Sequence, residues 1–224
     1  ATKGWLLIND ATSSVEGLAA SYITASGGTI STIGDFKYHK FTGPGTFTVC
    51  SVGNSKGSNT VQALVVAGGG GGTYNGGGGG GAGGLRNISC LSVTATGFPI
   101  TVGSGGARTN PGATTPSPGN NSVFSTVTSA GGGAGGPPGG GTGSNGGSGG
   151  GAGGNGGNAG TGGTGNTPTV SPPQGNDGGS HGPQPNYNAG SGGGGHTSAG
   201  SAPPAPGTPG AQGGAGGNGT DVSP

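Results

Sequence analysis

Apolar and polar positions follow two different rules along this chain, and the change falls near residue 66. In the first part Phe36 and Tyr38 alternate with Lys37 and His39, a period of two that predicts a half-buried strand with His39 on its exposed face. The run TFTVCSV at 46–52 puts Phe47 and Val49 on one face and Cys50 and Val52 on the other. VQALVVA at 61–67 is apolar on both faces and bounded by loops, the pattern of a central strand. NISCLSVTA, FPITVG and SVFSTVTSA predict further strands, and GWLLIND near the N-terminus predicts one that buries Trp5, Leu6 or Leu7, and Ile8. No stretch repeats its apolar residues at the 3.6-residue helical period. The expected fold class is therefore all-β, a β-sandwich without α-helix.

In the second part the rule has a period of three. Residues 150–165 read GGAGGNGGNAGTGGTG, with glycine in two columns and Ala152, Asn155, Asn158, Thr161 and Thr164 in the third. Three residues per turn with a rise of about 3.1 Å predicts an extended polyglycine II helix, here one rod of roughly 50 Å with two bare faces. Such a helix makes no internal hydrogen bonds, so its N–H and C=O groups must pair with neighbouring rods. A second register, GGAGGNG, places Gln212, Ala215 and Asn218 in the variable column. Collagen is excluded because the glycine phase drifts and proline is scattered. Twice a β-branched strand runs straight into glycine, at Val66 and after Ser129, so the sandwich is expected to anchor the rods. The proline-rich stretches TPTVSPPQGN and SAPPAPGTPG read as corners. The organisation expected is an arm or linker at 1–26, a β-sandwich with a glycine-rich insertion at 27–130, and a glycine rod region at 131–224. Starting without Met, the chain reads as a processed product or a segment of something longer.

Composition narrows the function. Of the 67 glycines, 58 follow residue 66, and of the ten aromatic residues only Tyr187 follows Phe124, so the apolar core must come from the first part. Net charge is +1, and beyond Arg108 the charged residues are Asp177 and Asp221, which leaves no Lys or Arg cluster for a phosphate backbone and argues against nucleic acid. No apolar run has the ~18 residues of a membrane span. The glycine runs lack the GxxxxGK[ST] pattern of a phosphate loop.

Histidines 39, 181 and 196 lack serine-elbow or metal-ligand spacing with Asp35 or Asp177, and the chain is read as a non-enzyme without cofactor or metal. Cys50 and Cys90 each sit in a β-like stretch; a disulfide between them is one reading, two buried thiols on neighbouring strands the other. Asn87, Asn120 and Asn218 begin Asn-X-Ser/Thr triplets, of the kind expected by chance in an Asn-, Ser- and Thr-rich chain. The candidate recognition surface is the segment from Asp177 to His196, where Tyr187 sits among Asn186, Asn188, His181 and His196; Tyr74 beside Asn75 is a second candidate. A rigid ring flanked by small polar residues is the composition of an adaptable binding surface.

The order of blocks GGTISTIGDFKYHKFTGPGTFTVC, SNTVQALVVAGGGGG, GFPITVGSGG, NSVFSTVTSAGGGAGG and GNTPTVSPPQGNDGG resembles the glycine-rich domain of tail-fibre and other virion proteins of tailed bacteriophages, over roughly residues 26–219. That resemblance implies a virion or extracellular location, a homo-oligomer, partners among other virion proteins or copies of itself, and loops at the rod tips that bind a host-surface glycan or outer-membrane protein. The alternatives from the residues alone are a subunit of an extracellular filament and an ice-binding glycine bundle, the latter with too few aligned threonines to favour it.

Overall fold

The computed structural model describes residues 19–109, 116–154, 157–183, 188–204 and 212–222. The GWLLIND strand expectation lies outside them. The described residues contain no helix; the elements are β1 (Thr24–Ser26), β2 (Thr29–Ile33), β3 (Phe36–Lys40), β4 (Gly45–Ser51), β5 (Thr60–Val66), β6 (Leu85–Ser92), β7 (Gly97–Thr101), β8 (Ser122–Phe124) and β9 (Val127–Ser129). They form a five-stranded antiparallel sheet in the order β1-β4-β7-β8-β9 and two hairpin ribbons, β2-β3 and β5-β6. The chain is all-β, as its apolar periods require.

The core follows the alternation in β4. Phe47 and Val49 turn inward and are almost fully buried, while Cys50 on the next position is exposed. Val93 joins them, with Phe98, Ile100, Phe124 and Val61 packed around. Phe124 meets Phe47 edge-on at 5.7 Å and Phe98 at 6.0 Å between ring centroids, a geometry favoured by the ring quadrupoles.

Two sequence expectations are corrected here. VQALVVA is not a central strand, since β5 pairs with β6 in a separate two-stranded ribbon. Its period of two buries Ala63 and Val65 beside β8 and β9 and leaves Leu64 and Val66 half exposed on the outer face. In β3 the alternation is not kept, since Tyr38 and His39 are both part-buried and Phe36, Lys37 and Lys40 are exposed. Phe36 is 62% exposed near the tip of the β2-β3 ribbon, whereas His39 is part-buried, bonded through Nδ1 to the Gly27 carbonyl at 2.8 Å and set edge-on to Phe47 at 5.0 Å. The cause is where the ribbon packs: its base meets the core, and its Ile33-Gly34-Asp35-Phe36 end extends beyond it.

The glycine segments run alternately away from the sheets and back. From β5 the chain goes out along 67–73 and returns along 77–84 into β6; from β7 it goes out along 102–109 and returns along 116–121 into β8. From β9 it continues out and back through 130–136, 141–147, 148–154, 160–165, 174–181, 189–195, 198–204 and 212–219. Segments from before and after residue 130 interleave in one bundle.

Segment 148–154 lies at its centre. Ser148, Gly149 and Gly150 donate their amides to the carbonyls of Ala82, Asn176 and Ser144, at 3.0, 2.9 and 2.9 Å. The next three, Gly151, Ala152 and Gly153, donate to Gly79, Gly179 and Gly141 in the same rotation, and Gly154 begins it again at Gly76. The carbonyls of the segment accept from Gly133 and Gly136 on one side, from Ser191 and Gly194 on another and from Gly163 on a third. Each third residue thus faces the same neighbour, and donor and acceptor neighbours together surround the segment. The stretch 150–165 is accordingly not one rod. Gly163 donating to Gly150 shows that 160–165 folds back antiparallel on 148–154, through a reversal that includes Gly157 at φ 78°. Antiparallel return brings the donors of one arm to the acceptors of the other, which a single long rod cannot do.

Close approach, not conformational freedom, is why glycine fills these columns: a Cβ built on Gly149 or Gly150 would overlap the carbonyl oxygen of Gly163 or Ala134. Positions that point between segments do carry a side chain, as Ala134, Ala152, Ser148 and Ser191 do, all at 2% exposure or less. At the junction with the sheets, the buried Gln174 accepts the Ala130 amide at Oε1 (2.8 Å) and donates Nε2 to the Pro168 carbonyl (2.9 Å), while its own carbonyl takes the Leu85 amide at 3.0 Å. Ser129 Oγ donates to the Val65 carbonyl at 2.7 Å.

Gly150→Ala is expected to cost about 1–3 kcal/mol by overpacking. Gly105→Ala, whose Cβ would find its nearest neighbour, Gly69 O, at an ordinary 3.7 Å, is expected to be neutral or slightly stabilising. Thermal unfolding of the two variants beside the parent checks this; equal effects would mean that contact between segments does not set the stability.

Candidate functional site

Alternating direction has a topological consequence: every outward segment ends at the same face of the bundle, the one opposite the sheets. Tyr74–Gly76 and Pro137–Gly140 turn there, and the described flanks of the connections containing 110–115, 155–156, 184–187 and 205–211 end there as well. Hydrogen bonds tie these turns together. The Tyr74 amide donates to Thr109 Oγ1 at 3.1 Å and Thr73 Oγ1 to the Gly135 carbonyl at 3.0 Å. Gly154 donates to Gly76 at 2.7 Å, Gly139 to Gly154 at 2.6 Å, and Asn158 Nδ2 to Gly139 at 3.2 Å.

Local sequence explains the sharpest of the turns. Asn75 and Gly76 take φ values of 54° and 78°, the left-handed pair that a two-residue reversal needs and that Asn and Gly tolerate best. Thr109, 2% exposed, is the post on which that turn rests. Tyr74 is thereby held outward at 46% exposure. Arg108, Asn158 and Asn188 are exposed around the same face, so among the described residues the surface combines a ring, a cation and amide side chains on short, anchored turns. That combination suits polar contacts and stacking.

The sequence candidates divide between the two ends. Tyr74 and Asn188 belong to the tip; Asn186 and Tyr187 lie outside the described residues. His181 is a packed residue of the bundle, 9% exposed, its Nδ1 3.2 Å from Ser191 Oγ and its backbone paired with Gly160 in both directions at 2.9 and 3.0 Å. His196 is at the opposite end, beside the sheets, against Leu85, Arg86, Asn87, Pro172 and Pro173 in a pocket of about 80 Å³, with Nδ1 3.4 Å from the Gln174 carbonyl. Cys50 and Cys90 are free and exposed on strands of different sheets, so the structure forms no bridge between them and buries neither thiol. Both sequence readings fail for one reason: β4 joins the five-stranded sheet while β6 pairs with β5 in a separate ribbon, and each cysteine is exposed on its strand. Arg108 and Thr109 were missed by sequence reasoning. Their signal was the out-and-back alternation of glycine runs, which places the end of each odd run at one face.

Among the described residues no three His, Cys, Asp or Glu side chains gather as a metal site would require, and no helix is long and apolar enough to cross a membrane. A family model described as a glycine-rich domain matches residues 42–224. No curated protein and no solved structure matches the chain.

Two outcomes are expected from this placement. His181→Ala should cost about 1–3 kcal/mol in thermal or denaturant unfolding, through the lost hydrogen bond and the space left in the bundle, whereas Tyr74→Ala should leave the midpoint within error. Iodoacetamide applied to native, unreduced protein should add two labels by mass spectrometry, one on Cys50 and one on Cys90; an unlabelled pair 2 Da lighter than the dithiol form would contradict the geometry.

Proposed function

The chain belongs to the glycine-rich domain family, and we propose that it is a non-enzymatic adhesion and structural module of a phage virion, a tail fibre or fibre tip that attaches to the host surface. The observation that carries the reading is the gathering of the turns at one end of a rigid bundle, with the sheets at the other. Rods that fix both ends of each loop let loop sequence vary while the packed glycine columns cannot, which is how a scaffold serves recognition.

The glycine segments are read here as polyglycine II helices, a reading supported by the three-residue rotation of their donors. Binding falls to Tyr74, Arg108, Asn158 and Asn188, together with Tyr187 from the sequence. A ring that stacks on a pyranose face, amides that bond hydroxyls and one guanidinium for an acidic group suit a glycan of the bacterial surface, and the same groups suit a protein loop. Such sites need no cofactor.

The test uses labelled full-length protein and a panel of Gram-negative cells, with adsorption measured by flow cytometry. Tyr74→Ala and Arg108→Ala are expected to lower adsorption at least tenfold with unchanged unfolding midpoints, and His196→Ala, at the sheet end, to leave it unaltered. Adsorption lost in His196→Ala but kept in both tip variants would move the binding surface to the other end.

A further inference from the structure

We propose that the groove between segments 77–84, 189–195 and 212–219 is a docking slot for one glycine-rich segment of a second copy of this chain. The groove measures about 420 Å³, and its walls repeat at every third residue: Gly77 and Gly80, Gly190 and Gly193, Gly213 and Gly216. It runs along the side of the bundle and reaches the tip at Gly76 and Asn188.

The case rests on the hydrogen-bonding of segment 189–195. Its carbonyls accept from three neighbours: Gly79 and Ala82, Asn176 and Gly179, Gly214 and Gly217. Its amides address three directions in the same rotation as the central segment. Ser191 and Gly194 donate to Ala152 and Gly149, and Gly192 and Gly195 donate to Ser201 and Ser198. The third direction belongs to Gly190 and Gly193, both buried residues whose amides find no acceptor among the described residues. Around the central segment every direction is filled; around this one a single direction opens on the groove. Buried amides normally have partners, and a segment seated in the groove would supply them.

The chemistry of the occupant follows from the walls. It must be extended, must offer carbonyls at every third residue, and must be bare in the columns that face the walls, because inside the bundle a Cβ in such a column overlaps a neighbouring carbonyl. This chain is made of such segments. The groove also presents the opposite polarity, since the carbonyls of Gly77 and Gly80 accept from no described residue and the amides of Gly80, Gly213 and Gly216 reach no described acceptor. One edge thus carries donors and acceptors at the same three-residue spacing, the self-complementarity that pairing of identical copies requires. The relation to a strand added at an open sheet edge is direct, with backbone bonds supplying affinity and the missing side chains supplying specificity.

Sedimentation velocity of the full chain over increasing concentration, combined with amide exchange at Gly190 and Gly193, tests the slot. The blocking variant is Gly216→Leu: a Cβ there has its nearest neighbour, Gly193 O, at 3.9 Å, so the added side chain meets the slot before it meets its own bundle. Gly105→Leu, equally open at 3.7 Å but on a segment that does not line the groove, is the control. Expected are association of the parent with slowed exchange of both amides, at least tenfold weaker association of Gly216→Leu at an unchanged Tm, and parent-like behaviour of Gly105→Leu. Open-ended assembly that Gly216→Leu abolishes supports the same slot used head to tail. A parent that stays monomeric, whether those amides exchange freely or are protected within the single chain, overturns the proposal, as does association that Gly216→Leu leaves intact or that both variants weaken equally.

Discussion

Backbone-to-backbone hydrogen bonding between extended glycine segments is the constraint on which the rest of this molecule depends. Segment 148–154 gives its amides to three neighbours in turn and takes amides from three others. Each bond contributes about 0.5–1.5 kcal/mol net, while fixing each residue costs roughly 1–2 kcal/mol, so an isolated pair of segments does not hold. A segment surrounded on every side uses nearly all of its donors and acceptors and adds close packing to them. The bundle is therefore cooperative: its interior is stable because it is complete, and its edges are where pairing capacity is left over.

The sheets give this bundle a fixed starting point. Aromatic packing around Phe47 positions β4, β7 and β8, and the glycine segments leave directly from β5, β7 and β9. Gln174 joins the two regimes, because its side chain holds Ala130 and Pro168 and its carbonyl holds Leu85. A buried amide with each group partnered specifies one register between sheets and rods, which bare glycine surfaces cannot specify themselves. The left-handed Asn166 supports it, accepting the amides of Val170 and Gln174 at 3.2 Å through Oδ1.

From this architecture come two surfaces of different character. The tip carries side chains on short anchored turns, among them Tyr74 and Arg108, and suits recognition of something unlike the protein. The groove beside Gly190 and Gly193 carries almost none and suits recognition of something like it. In the interior neighbouring carbonyls occupy the places where a Cβ would stand, whereas Gly139 at the tip and Gly216 in the groove have room for one.

The sequence by itself determined the fold class, the inward face of β4 and the fact that glycine segments must pair with one another, because these follow from the periods of two and three and from the demand that backbone groups be bonded. Tyr74 and Asn188 were singled out in the sequence only by their composition, a ring or an amide among small polar residues; that both stand at one end of the bundle follows from how its segments alternate. What only the tertiary structure decided is which segment lies beside which. Glycine columns are interchangeable in sequence, so nothing in residues 150–165 announced that the rod folds back, nor that His181 is enclosed by Gly160 and Ser191 while His196 sits at the other end. Strand order is likewise non-local: it turned β5 into a ribbon with Leu64 and Val66 outward, broke the alternation of β3 by packing only its base, and set Cys50 and Cys90 on separate sheets. A period fixes which groups a segment offers, but its partner is chosen by the whole bundle, since identical backbone groups differ only in where the rest of the chain leaves them.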